Sequence, residues 1–207
     1  MLGTLKRYVV SQFGNPRGLP GRLAGFAMDK RPSNRRRNLW TLGLIEPVAG
    51  DRILEIGYGP GFAIEALLER HEGVHVTGID RSRTMHAKAR ARNRAAIRDN
   101  RLTLVTGSIE ELEPWTLGGP FSKAYSVNSV MFWRDPAAVF RLLGARMTDD
   151  GQVFITYQPR VGPLTEEAAL AKAAEVEAAM RDAGYAGTRI EVFREVSPVA
   201  VCVIGRV

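Results

Sequence analysis

Arg52-Ile53-Leu54-Glu55-Ile56-Gly57-Tyr58-Gly59-Pro60-Gly61-Phe62 is the stretch that decides the fold. Its first five residues form a short apolar run that stops at glycines, as a strand buried in a parallel sheet does. Three glycines at alternate positions then permit a tight strand-to-helix turn, and they leave the backbone open to a ligand that a side chain would block. The helix predicted next, over 63–69, points its positive end and free N–H groups into that turn. A second strand, 74–80, ends at Asp80, a carboxylate suited to gripping a ribose diol. Together these features predict a nucleoside-containing cofactor at the carboxyl edge of a doubly wound sheet.

Two details narrow the cofactor. A dinucleotide fingerprint runs G-x-G-x-x-G, whereas these glycines run G-x-G-x-G, with Phe62 where no glycine is found. Glu55 also sets a carboxylate near the turn. That charge repels a pyrophosphate and attracts an ammonium, through water.

Outward from this stretch the chain alternates. Residues 39–45 suit a helix ended by 47–51. After Asp80, residues 83–98 read as one basic helix, 102–105 as a strand and 123–128 as another. Pro136 opens a helix at its favoured first-turn position, running to about Met147. Asp149-Asp150-Gly151 predicts a turn into the strand 153–157. An alanine-rich helix follows over 166–183. The strands 189–193 and 199–204 have only a short link, so they form an antiparallel hairpin. The expected class is α/β, Rossmann-like and doubly wound. Its mainly parallel seven-stranded sheet ends in an antiparallel C-terminal hairpin and carries helices on both faces. Residues 1–38 differ, with clusters of Gly, Pro and Asn between apolar anchors. They read as short helical pieces joined by turns, an N-terminal accessory or lid segment on a domain spanning 39–207.

Composition sets the frame. The 207 residues suit one core, and 45% hydrophobic with 25% charged residues is ordinary for a globular chain. The lone cysteine, Cys202, fits a reducing compartment. No apolar run is long enough to span a bilayer, and the first ten residues lack the features of a signal peptide, so a cytoplasmic location is expected. The net charge of +7 favours anionic partners or a solvated arginine-rich surface. His71, His75 and His86 lack metal-ligand spacing, and no metal is expected. His75 reads as structural, His71 and His86 as exposed at helix ends.

Residues 53–62, ILEIGYGPGF, resemble the first motif of class I S-adenosylmethionine (SAM)-dependent methyltransferases, of the methyltransferase type 11 group in particular. Gly78-Ile79-Asp80-Arg81-Ser82, with Met85 and Ala87, is similar to that family's second-strand motif, and 104–109 to its third. The resemblance implies SAM as cofactor, held by Glu55, Gly57, Tyr58, Gly59, Gly61 and Phe62 of the turn. It implies Asp80 as ribose ligand, Arg81 beside the adenine, and further contacts from Met85, Ser108, Ile109 and Asn128. Many members have Asp where Ser108 stands. Here a serine hydroxyl offers the hydrogen bond instead. Asp149-Asp150-Gly151-Gln152 resembles the family's turn before strand five.

Methyl transfer from a sulfonium needs alignment more than acid–base help, so no catalytic side chain is expected. The acceptor is expected outside the fourth and fifth strands, near Asn128, Ser129, Met131, Trp133 and Tyr157. A small-molecule or lipid-like acceptor leads, an anionic one among them. The alternatives are an rRNA or tRNA methyltransferase, or a non-catalytic SAM-binding protein. No [DN]-P-P-[YF] tetrad follows strand four, and no aromatic platform interleaves the basic residues, which counts against nucleic acid. Lys88, Arg90, Arg92, Arg94 and Arg98 wrap around their helix as solvated residues do. Arg35-Arg36-Arg37 is the better anion-site candidate.

Overall fold

The computed structural model describes residues 32–207. The lid expected over 1–38 therefore lies outside the described residues except for 32–38, and those are helical. Helix α1 (Pro32–Ile45) starts with them. Pro32 fits a first helical turn, where its missing N–H forfeits no bond. Asn38 folds back onto the Asn34 carbonyl (2.7 Å) instead of breaking the helix.

The remaining helices are α2 (Phe62–Arg70), α3 (Arg83–Arg92), α4 (Arg94–Arg98), α5 (Pro136–Gly144) and α6 (Glu166–Asp182). The strands are β1 (Arg52–Ile56), β2 (His75–Asp80), β3 (Leu102–Thr106), β4 (Phe121–Val127), β5 (Met147–Tyr157), β6 (Ala186–Phe193) and β7 (Ala200–Arg206). They form one seven-stranded sheet in the order β3-β2-β1-β4-β5-β7-β6. The first five are parallel, and β7 and β6 close the sheet antiparallel. The expected class and hairpin are both present.

Alternation along the strands fills two layers. Leu54, Ala124 and Val153 meet Phe140, Leu143 and Met180 of α5 and α6 on one face. Ile53, Tyr125 and Phe154 meet Leu42, Leu67 and Ala89 of α1, α2 and α3 on the other. Each such Leu, Ile, Val, Phe or Met side chain contributes about 1.5–3 kcal/mol when fully buried. Cys202 lies in β7, buried with its thiol pushed up to about 12 by burial.

The structure differs from the sequence reading at Asn93, Gly144, residues 149–151 and His86. The basic helix expected over 83–98 divides at Asn93. The buried Asn93 amide turns inward to donate to the carbonyls of Gly61 (3.1 Å) and Ala89 (3.0 Å), and the chain restarts as α4. Helix α5 stops at Gly144, because Met147 already pairs with Phe121 in the sheet. The turn expected at 149–151 is a bulge within β5. There the register moves from Phe121↔Met147 to Lys123↔Gln152. His86 is half-buried inside α3, with its Nδ1 3.0 Å from the Tyr58 hydroxyl.

Candidate functional site

The sheet order reverses between β1 and β4, and a cleft opens there at the carboxyl ends of the strands, as it does at such switch points. Gly57, Gly59 and Gly61 take φ values of +83°, +52° and +79°, in the left-handed region that L side chains resist. The Gly57 N–H donates to the Ile79 carbonyl (2.7 Å), fastening the turn to β2. A Cβ on Gly57 would lie 2.6 Å from that of Ser129, whereas one on Gly59 would meet nothing within 4 Å. Gly59 thus presents bare backbone to open space.

Asp80 ties this turn to the next helix. One carboxylate oxygen accepts from the Gly59 N–H and the other from the Ser82 N–H, both at 2.8 Å. Ser82 in turn caps α3 by accepting from the Met85 N–H (3.3 Å). Burial raises the Asp80 pKa, and the two N–H donors act against that rise. Each oxygen keeps acceptor capacity for a further donor.

The cleft has a volume of about 450 Å³, within the range of small-molecule sites. Gly57, Gly59, Asp80, Arg81, Met85, Ser108 and Ile109 line its β2–β3 side. Asn128, Ser129, Met131, Trp133 and Tyr157 line its β4–β5 side. Asn128, at φ +57°, exchanges two hydrogen bonds with the Gln158 backbone (3.0 and 2.7 Å) and so locks the ends of β4 and β5 together. The Arg81 guanidinium lies 5.0 Å from the Phe132 ring, spanning the cleft from β2 to the turn Val130–Phe132.

Four residues expected at the site do not line the cleft. Gly61 backs onto Ala89 and Asn93. Phe62 carries Arg35 over its ring (4.8 Å). Tyr58 is buried, its hydroxyl donating to the Val105 carbonyl (3.3 Å). Glu55 shares the face of Ile53 and is 2% exposed, accepting a hydrogen bond from the Tyr125 hydroxyl (2.8 Å). Burial lifts its pKa to about 8, and nearby Asp80 adds to the rise, so at neutral pH this carboxyl is largely neutral. Glu55, expected as an anion beside the turn, faces the helix-covered layer and not the cleft.

Arg37 and Arg160 also line the cleft, with Asn34. The arginine triplet diverges. Arg36 is exposed and pairs with Glu195 (2.9 Å), Arg35 is exposed over Phe62, and Arg37 is 5% exposed. Arg37 Nη1 donates to Gln158 Oε1 (2.6 Å), and Arg160 Nη2 donates to the same oxygen (2.7 Å). The Gln158 amide is anchored by its own donation to the Pro198 carbonyl (2.5 Å). Both nitrogens bond one oxygen, and cations held that close repel each other. Burial, then the charge of Arg160, lowers the Arg37 pKa to about 9. Among the described residues its Nε has no partner. Helical spacing is the signal for Arg37: starting the helix at Pro32 puts it on one face with buried Thr41 and Ile45.

The comparisons agree with this geometry. Residues 53–151 match the family model described as a methyltransferase domain. The chain is 30% identical over 182 residues to the uncharacterized methyltransferase YdaC of Bacillus subtilis (strain 168), covering 87% of this chain and 95% of that one. Among solved structures, the N-methyltransferase NodS of Bradyrhizobium japonicum WM9, in complex with S-adenosyl-L-homocysteine, superposes with a TM-score of 0.66 at 14% identity, over 87% of this chain and 90% of that one. A geranyl diphosphate methyltransferase in complex with GPP and sinefungin superposes with a TM-score of 0.66 at 15% identity, over 84% and 78%.

Proposed function

This chain belongs to the class I SAM-dependent methyltransferases, and from that premise we propose that it methylates a small molecule held at the carboxyl ends of β4 and β5. It is an enzyme and its cofactor is SAM. The chain's own groups fit that cofactor. Gly59 offers backbone with open space before it, and both Asp80 oxygens can accept hydroxyl protons. Bound SAM supplies a methyl group already activated on a sulfonium.

In this reading Asp80 accepts from the ribose hydroxyls while the Gly59 and Ser82 N–H groups hold its carboxylate still. Met85 and Ile109 give the adenine apolar walls, and Ser108 gives it a hydroxyl. Asn128 orients the far wall by locking β4 to β5, and Met131, Trp133 and Tyr157 bound the acceptor. Positioning in such a cleft supplies much of the rate for a reaction whose leaving group is already activated. The observation that carries the proposal is the single cleft running from the glycine turn to the ends of β4 and β5. A solved protein of the same fold, the geranyl diphosphate methyltransferase, offers a small-molecule precedent.

Calorimetric titration with S-adenosylhomocysteine, comparing wild type, Asp80→Ala and Gly59→Val, tests the cofactor half. Loss of two hydrogen bonds to a charged group, at about 1.5–3 kcal/mol each, predicts binding weaker by about two to four orders of magnitude in Asp80→Ala. Unchanged affinity would remove Asp80 from the site. A labelled methyl-donor screen of small amines, hydroxy acids and phosphorylated compounds tests the acceptor half. Label found only in RNA would overturn it.

A further inference from the structure

We propose that the exposed arginines of α3 and α4 form a docking track for the phosphate backbone of a nucleic acid strand, on a face separate from the methyl-transfer cleft. Burial sorts cations that sequence spacing alone spreads around the helix. Met85, Ala89 and Asn93 are buried, and Arg92 turns inward to the Pro60 carbonyl (3.1 Å) and Glu65 (3.4 Å). Arg83, Arg90, Arg94 and Arg98 stay exposed. The break at Asn93 does not scatter them. The Asn93 N–H donates to the Ala89 carbonyl (3.0 Å) and the Ile97 N–H to the Asn93 carbonyl (3.1 Å), so one spiral runs through both helices. At 3.6 residues per turn the four arginines fall within about 80° of arc and extend over about 22 Å.

No Asp or Glu occurs between Arg81 and Arg98. Among the described residues no carboxylate pairs with Arg83, Arg90 or Arg94, and Arg98 meets Asp99 at 3.9 Å with both side chains mostly exposed. Like charges along one face attract a polyanion and release its counterions. Guanidinium groups match the paired oxygens of a phosphate, and the exposed Ala87 and Ala91 between them leave a strand room to approach. What the face lacks narrows the partner. The exposed large apolar side chains among the described residues are Val48, Met131, Val161, Leu164 and Leu170, so α3 and α4 present none to anchor in a bilayer. Residues 81–98 also hold no Phe, Tyr or Trp on which bases could stack. Contact therefore runs to phosphates and is independent of base sequence.

Fluorescence anisotropy with a labelled single-stranded RNA of about 20 nucleotides tests the track. Wild type is expected to bind it, with the logarithm of affinity falling against that of salt at a slope of about −2 to −3, for three or four phosphate contacts at about 0.7 each. The double variant Arg90→Gln/Arg94→Gln is expected to bind at least about tenfold more weakly at about 50 mM salt, with a slope shallower by about 1.4. Arg141→Gln/Arg206→Gln removes the same charge from exposed positions on α5 and β7, and is expected to keep the wild-type slope. Unchanged urea midpoints establish that both variants are folded. No RNA binding by wild type would overturn the proposal. Equal losses in the two double variants would do so too, tracing binding to the net charge of +7 instead of to α3 and α4. Binding to anionic lipid vesicles but not to RNA, lost in Arg90→Gln/Arg94→Gln, would give the face to a membrane and likewise overturn it.

Discussion

Glu55 sits in the layer between the sheet and α1–α2, where its carboxyl meets Tyr125 and, among the described residues, no cation. Its pKa in the folded chain, about 8, lies above the ordinary value of 4.5. The folded state therefore holds a proton that the unfolded chain releases. Stability that is full below 4.5 declines as pH rises towards 8, by on the order of 1 kcal/mol per pH unit. Glu55→Gln keeps an acceptor for Tyr125 and carries no charge. Across that window its urea midpoint is expected to fall less steeply than that of wild type. Parallel curves would show that Glu55 stays ionised in the folded protein. At this scale the sequence was read well where chemistry is local. Gly57, Gly59 and Asp80 lie where the turn demands. Glu55 turns away from the cleft because strand alternation, not distance along the chain, decides which face a side chain takes.

Between elements, α1 is docked on β5 by a buried relay. The Thr41 hydroxyl donates to the Arg37 carbonyl (3.0 Å) and lies 2.8 Å from the Thr156 hydroxyl. Both threonines are 0% exposed. Thr41→Val leaves the Thr156 hydroxyl without that partner, at a cost of about 1–3 kcal/mol. Replacing both by Val is expected to destabilise by less than the sum of the single changes in urea denaturation. Strict additivity would mean that the two hydroxyls do not interact. Most elements were legible because buried parallel strands read as apolar runs between helix signals. The boundaries missed at Asn93 and Met147 are set by tertiary bonds: the Asn93 amide to Gly61, and the pairing of Met147 with Phe121. Residues 32–38, expected within pieces joined by turns, are helical because proline is accepted in a first helical turn.

Over the whole molecule, the two halves of the cleft differ in how far sequence could reveal them. The cofactor half comes from the consecutive segment 56–85, with 107–110 beside it, so a motif captures most of it. The other half gathers residues from 34–37, 127–133 and 157–161, which meet only because α1 packs against β5 and β4 lies beside it. The positive charge divides in a similar way. Arg92 caps the Pro60 carbonyl (3.1 Å) and pairs with Glu65 (3.4 Å), and Arg98 pairs with Asp99 at the surface (3.9 Å). Arg37 is taken inside.

The position of Cys202 turns the chain into its own reporter. It is the sole cysteine, and it lies 0% exposed in the strand between β5 and β6. A thiol reagent can reach it only when β7 leaves the sheet. With a folding free energy of at least about 5 kcal/mol, modification is expected to run some thousands of times slower than for an open thiol, under reversible opening. Any molecule that binds the folded chain slows it further, about a hundredfold when present at 100 times its dissociation constant. Labelling as fast as a free thiol would mean that β7 frays locally. Otherwise the colour change of one sulfur atom ranks candidate acceptors before any product has been identified.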